Sequence, residues 1–393
     1  MTITRLTPSY VRTGNPTRRA LHLDFDREHS RPGRPTDVPR EYPLPQTGNR
    51  IAILGVAAGL LLVTMGAGGC SELASTLTDV PPATIEPARA AVSPPPATAP
   101  AGQILSLKGR PAAAITDAAT GSLVVFTPGA DAGAPATLTV IDRAGATRTV
   151  VLPGPATAVT GGGGSDGTAY LSTRGGFFTV DLDAGTATRT AISGQSETDF
   201  TAIARRTDGR LVLGSADGTA YTLAEDLTVA HEADIFARVD AIVTEGDTAV
   251  VLDRGQTSVT ALNADGSPAQ ALRAGLGATT ITADPAGRVL VADTRGGQLL
   301  VFGVDPLIER QAYPVGEFPY GVAGSPTLVW VSQTATNTVI GYDLSTGIPV
   351  EKVRYPTVQQ PDVLAFDAQN DTLYVMSGSG AGVQVIRDAG AGR

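Results

Sequence analysis

One cysteine, three histidines and two lysines are all that 393 residues hold of those types, and aromatic residues make up only 5% of the chain. Each scarcity removes a class of chemistry. With Cys70 alone, neither a disulfide framework within the chain nor a cysteine-based metal site can be assembled. His22 and His29 fall in an Arg- and Pro-rich N-terminal stretch, so His231 is the one imidazole in the rest of the chain. Basic residues are outnumbered, 29 Lys and Arg against 38 Asp and Glu, and after Cys70 the ratio becomes 20 to 33. Nucleic acid is therefore not an expected partner, because binding it needs a basic footprint that displaces counterions. Apart from Lys108 and Lys352 every basic residue is Arg, which fits a GC-rich coding genome such as an actinobacterium's.

Long apolar runs are also scarce. The only one of membrane length, Ile51 to Met65, is followed by Gly66, Ala67, Gly68 and Gly69, directly ahead of Cys70. Its apolar core is short of the roughly 20 residues that cross a bilayer as a helix and suits the central part of a signal peptide. Arg40 and Arg50 lie on its upstream side, as the positive-inside rule asks. Residues 51–69 are thus expected to be a signal peptide or membrane segment, with Cys70 the lipidated residue and the remainder on the extracytoplasmic side of the cell membrane. An uncleaved anchor helix running on through Gly69 is the alternative, and Ala67 stands where such signals usually carry Leu or another aliphatic residue. Residues 1–50 carry too little apolar surface to fold and are expected to be a disordered extension or the product of a start placed too far upstream. A start at Val38 leaves a leader of 32 residues before Cys70. Residues 70–101, dense in Pro, Ala and Thr, are expected to act as a semi-rigid disordered spacer.

From about residue 102 the chain repeats. Strand pairs punctuated by turns begin at Gly121, Gly167, Gly209, Asp247, Gly287, Thr327 and Asp371, spaced 46, 42, 38, 40, 40 and 44 residues apart. That is the period of four-stranded propeller blades. Apolar residues such as Val291, Leu300 and Phe302 alternate with period two, and pairs such as Asp208-Gly209, Asp217-Gly218 and Asp265-Gly266 supply hairpin turns. The seventh unit runs out near Ile386, while a stray strand, Gln103 to Leu107, precedes the first unit. The expected architecture is all-β, a seven-bladed propeller over about 102–390, closed by that N-terminal strand on the outside of the last blade. Six complete blades with a disordered remainder is the alternative.

The segment RVLVADTRGGQLLVFGVDP resembles an NHL-type propeller repeat, and LVWVSQTATNTVIGYDLSTGIPVEKVRYPTV resembles the repeats of YncE-like surface propellers. From PPATIEPARAAVSPP to the C-terminus, including FTAIARRTDGRLVLGSADG and VLDRGQTSVTAL, the chain is similar to the LppL group of mycobacterial lipoproteins. The resemblance implies a lipid-anchored envelope propeller and names no substrate.

Nothing in the sequence assembles a recognisable catalytic set. His231 falls on an expected outer strand, the Gly161–Gly164 run lacks the Lys and helix of a phosphate loop, and no nucleophile elbow occurs in a strand-to-helix context. No cofactor and no metal are expected. The most suggestive polar residues lie in the turns between second and third strands: Arg174, Asp217, Asp253, Arg254, Asp293, Arg295 and Gln333. The pairs Asp253 with Arg254 and Asp293 with Arg295 come from neighbouring blades, so they are a candidate face for a polar ligand or an envelope protein. Inter-blade salt bridges and turn formation are the simpler account of the same residues. Two functions follow as expectations: a monomeric, non-catalytic binding or scaffold propeller, or, as the alternative, a propeller hydrolase or lyase using acidic channel residues, with or without calcium.

Overall fold

The computed structural model describes residues 82–162 and 167–391. The apolar segment, Cys70 and the first part of the spacer lie outside the described residues, as do Gly163 and Gly164. Among the described residues no helix is long and apolar enough to cross a membrane.

Among the described residues, twenty-eight strands form seven four-stranded antiparallel sheets. Six are built from consecutive strands, as in blade 5, where Ala278–Asp284, Arg288–Asp293, Gln298–Gly303 and Ile308–Pro314 run from the axis outwards. The innermost strands of blades 1 to 7 are Ala113–Asp117, Ala158–Gly161, Phe200–Arg205, Ala241–Glu245, Ala278–Asp284, Pro319–Gly324 and Pro361–Asp367. The seven-bladed ring expected from the repeat is thus what the chain forms. Gly209, Gly218 and Gly266 take φ values of +89°, +96° and +95°, so the Asp-Gly pairs do supply left-handed turn positions.

The burial pattern departs from simple alternation for a physical reason. The second strands Ser122–Thr127 and Thr372–Ser377 are buried at every position, whereas the outer strand Pro268–Arg273 is almost wholly exposed. A middle strand of a blade has a neighbouring sheet against each face, so both of its faces must be apolar or satisfied. The core is accordingly divided into seven wedges between adjacent blades, from the Val124 and Leu171 cluster of blades 1 and 2 to the Val125 and Val383 cluster that joins blade 7 back to blade 1. Threonine hydroxyls add polar stitches along the channel. Thr157 donates to the Phe200 carbonyl at 2.6 Å, Thr201 to that of Val239 and Thr280 to that of Tyr320, each reaching the next blade.

The seam is where the chain's two ends meet. Gln103–Leu105 pairs antiparallel with Val383–Ile386, with Ile104 opposite Gln384, and completes blade 7 as its outermost strand. The closing strand is shorter than the expected stretch to Leu107, but its place is the expected one.

The part of the spacer that is described does not stand clear of the ring. Residues 82–101 have no regular secondary structure, yet Ala88 and Ser93 are only 7% and 4% exposed and the segment is hydrogen-bonded to blades 4 to 7. Proline keeps it extended, as composition suggests, and an extended chain with free carbonyls is also a chain that can be bound. We call this segment the strap.

Candidate functional site

In each blade the turn between second and third strands lies beside the loop that enters the blade from its predecessor, and together these make one face of the ring. Two buried aspartates knit that face. Asp253, fully buried, accepts the Ala237 N–H at 2.7 Å, the Arg238 N–H at 3.2 Å and the Gln256 N–H at 2.8 Å. Asp293, also fully buried, accepts those of Leu276, Gly277 and Gly296 at 2.9, 2.8 and 2.9 Å. Both carboxylates are consumed in organising loops, the usual fate of a buried acid that is satisfied by backbone donors.

The other expected face residues divide by place. Arg174 is exposed and makes ion pairs of 2.7 Å with Glu197 and with Asp199, whose hydrogen bonds and charges raise its pKa. Asp217 is exposed and accepts the Ser215 hydroxyl. Gln333 is buried, donating to the Gly316 carbonyl at 2.9 Å and accepting from Thr338 and Arg354 at 2.8 Å each. Arg254 and Arg295 are the two that reach a segment from elsewhere in the chain: their guanidiniums donate to the strap carbonyls of Ala88 at 2.5 Å and Glu86 at 2.6 Å. The two Asp-Arg pairs therefore do not open towards one ligand. Their acids look into the loops and their arginines hold the strap.

Beyond Arg295 the strap is held by residues the sequence reading did not single out. Thr334 accepts the Ala91 N–H at 3.1 Å and its carbonyl accepts the Ser93 hydroxyl at 2.5 Å. Gln360 takes the Ser93 N–H at 3.0 Å and donates to the Ala91 carbonyl at 2.9 Å, while Gln359 and Asn337 donate to the carbonyls of Ser93 and Pro94 at 3.0 and 2.7 Å. Asn337 and Gln360 adopt φ of +51° and +58°, and the nearby Glu317 and Phe318 +60° and +57°. Left-handed backbone at non-glycine residues costs free energy and gathers where geometry serves a site.

Below this face the channel wall is mostly aliphatic and hydroxylic, with Ile115, Val159, Ile203, Ile242, Val243 and Ile281 among its residues. Three groups at the starts of inner strands break that pattern: Asp240 of blade 4, Tyr320 of blade 6 and Asp362 of blade 7. Burial raises the Asp240 carboxyl, against the Arg254 N–H it accepts at 2.8 Å and the charges of Arg254 and Arg238. Burial likewise raises Asp362, opposed by the Gln360 side-chain amide at 2.8 Å, and raises the Tyr320 phenol, with Arg254 lowering it and Asp362 adding to the rise. A repeat alignment carried one step further inwards would have found them, since they occupy the position held by Thr157 in TAV, Thr201 in TAI and Thr279 in TTI. Among the described residues no group of three His, Cys, Asp or Glu side chains is placed to hold a metal ion. His231 lies on the outer strand Val229–Asp234 of blade 3, away from the channel, as expected.

Two results are expected from this arrangement. Arg254→Ala removes a charged donor from a strap carbonyl, a contact worth about 1.5–3 kcal/mol, and limited proteolysis should cut within residues 84–94 sooner than in the unaltered chain; unchanged cleavage would show that the arginine does not hold the strap. For Asp362, a raised folded pKa means that its contribution to stability is complete below the unfolded value of about 3.9 and is lost as pH rises through the folded value. Asp362→Asn should therefore raise the melting temperature at pH 7, with the gain shrinking towards pH 4. A gain that grew on acidification would contradict the burial account.

The fold and this face define a seven-bladed β-propeller with a strapped surface. No protein-family model matches the chain, and no curated protein matches it in sequence. Solved structures do resemble it in fold. A streptogramin B lyase structure aligns with a TM-score of 0.60 and 12% identity over 73% of this chain and 97% of that one. Virginiamycin B lyase from Staphylococcus aureus gives 0.59 and 13% over 72% and 98%. A chain of a mitotic checkpoint complex gives 0.61 and 11% over 77% and 96%. At such identities the likeness concerns the fold alone, which a lyase and a member of a multiprotein complex share.

Proposed function

We propose that the chain is a non-catalytic binding or scaffold propeller, displayed on the extracytoplasmic side of the cell membrane by a lipid on Cys70. The observation that carries the binding reading is the strapped face: side chains from four consecutive blades meet an extended segment through its main chain, which is the chemistry of peptide and protein recognition. The apolar run ahead of Cys70, and the resemblance to LppL-type lipoproteins, support the address. Two acyl chains give a stable anchor where one is marginal, each buried methylene contributing about 0.8 kcal/mol. Mass spectrometry of the mature N-terminus tests the address directly. A diacylglyceryl-modified Cys70 is expected, and an unmodified chain beginning at Met1 would refute it.

A second reading, a lyase or hydrolase working at the channel mouth, has one observation in its favour: the carboxyls of Asp240 and Asp362 and the Tyr320 phenol, which Asp362 influences, are groups whose pKa values burial has moved, as in acid–base sites. That reading calls for at least three carboxylates converging at the axis, and the described residues do not supply a group of three placed to hold a metal ion.

A further inference from the structure

The strap is bound mainly through its backbone, with the Ser93 hydroxyl adding a side-chain bond to the Thr334 carbonyl at 2.5 Å. Arg254, Arg295, Asn337, Gln359 and Gln360 all donate to strap carbonyls, and the strap amides of Ile85, Ala91 and Ser93 donate back to the Gly255 carbonyl, Thr334 and Gln360. Only Ala88 and Ser93 turn inwards far enough to be buried, while Val92 between them is 93% exposed and Arg89 pairs with Glu86 in solvent at 3.1 Å. Two glycines make the room. A Cβ at Gly277 would stand 3.0 Å from the Ala88 methyl, and one at Gly255 would stand 3.2 Å from the Thr84 methyl. Recognition of this kind reads an extended backbone and restricts side-chain size at two positions.

We propose that this face is a groove for an extended Ala- and Pro-rich peptide with small side chains five residues apart, and that the chain fills it in cis with its own residues 84–94. A groove built from donors aimed at main-chain carbonyls does not distinguish its own chain from another segment of the same chemistry. What keeps a second peptide out is the high local concentration of the tethered strap. Displacement of the strap exposes the groove, so the face is a regulated site rather than an open one. This inference rests on the reading of the chain as a binding propeller and not on its address, so absence of a lipid on Cys70 leaves it untouched.

The test uses the full-length chain in detergent, with residues 84–94 replaced by Gly and Ser at equal length, and a fluorescent peptide of the sequence TIEPARAAVSPP. The folded, strap-replaced chain is expected to bind the peptide saturably, and the unaltered chain to bind it at least about tenfold more weakly because the tethered strap competes. Peptides carrying Ala88→Trp or Ser93→Trp should lose affinity by about tenfold or more, since neither buried position has room for an indole, whereas Arg89→Ala with Val92→Ala should bind as the parent does. No binding to the folded, strap-replaced chain, or equal binding of the Trp and parent peptides, overturns the proposal. If the replaced chain does not fold, a protease site inserted at Ala97 of the otherwise unaltered chain allows the strap to be cut in place. Uptake of the labelled peptide by the cut protein then supports the proposal, and failure to take it up overturns it.

Discussion

Trp330→Ala is expected to lower stability by about 3–5 kcal/mol, the range for deleting a large aromatic side chain from a packed core. Trp330 is fully buried in the wedge between blades 6 and 7, lying nearly parallel to Tyr355 and Phe366 with ring centroids 6.2 and 6.3 Å away. The wedge is shaped around it: a Cβ on Gly341 of the paired strand would come within 2.9 Å of the indole. Its Nε1 has no hydrogen-bond partner among the described residues, so the residue contributes through volume and contact and not through polarity. Trp330→Phe should consequently cost far less, about 1 kcal/mol. Because Trp330 is the only tryptophan, denaturant unfolding has to be followed by circular dichroism instead of indole fluorescence. A loss below about 1 kcal/mol for the alanine variant would mean that the wedge collapses to fill the space.

Gln384→Leu is expected to cost about 1–4 kcal/mol, because it strands one buried and one half-buried main-chain group, the buried one at about 1–3 kcal/mol. The fully buried Gln384 amide donates to the carbonyls of Ala101 at 2.7 Å and Pro356 at 3.0 Å, and its oxygen accepts the Val358 N–H at 3.0 Å. The Pro356 carbonyl keeps the Ala101 N–H at 3.0 Å, so the groups orphaned by Leu are the Ala101 carbonyl and the Val358 N–H. Both flank the seam. Hydrogen exchange should therefore quicken first at Gln103–Leu105, with the strands of blades 2 to 5 unaffected. Exchange that rises evenly around the ring would show that closure does not depend on this side chain.

The blades were legible because their middle strands are apolar on both faces and their hairpins turn on Asp-Gly pairs, signals local enough to recur every 38 to 46 residues. The closing strand was legible for a different reason: a seventh unit missing one strand and a lone strand at the other end complement each other. The face was harder. Asp253 and Asp293 looked like ligand groups because a turn sequence does not reveal that its acid accepts N–H groups from a loop about 15 residues earlier. The strap was not legible at all. Its composition correctly indicates extended chain, but whether such a chain floats or docks is decided by Thr334, Asn337 and Gln360, some 240 to 270 residues away. Two of those docking residues, Asn337 and Gln360, sit in left-handed conformations that nothing in their immediate neighbours announces.

The same face reconciles stability with function. Asp240 and Asp362 are held in surroundings that disfavour their ionised forms, and Asn337 and Gln360 are held in costly backbone. Residues kept at such expense are commonly retained for what they bind.

The order of parts along the chain has a mechanical consequence. A pull from the N-terminal side reaches Ile85 first, then Ala88, Ala91 and Ser93, and only afterwards Ala101 and the closing strand. The strap's contacts lie in series along that line, so they peel one after another at low force, each step releasing a few residues of slack. The ring's closure, three residue pairs sheared together, is loaded only when the strap is spent. A pull on that side is thereby turned into extension before it becomes unfolding, and the first thing it uncovers is the face beneath the strap.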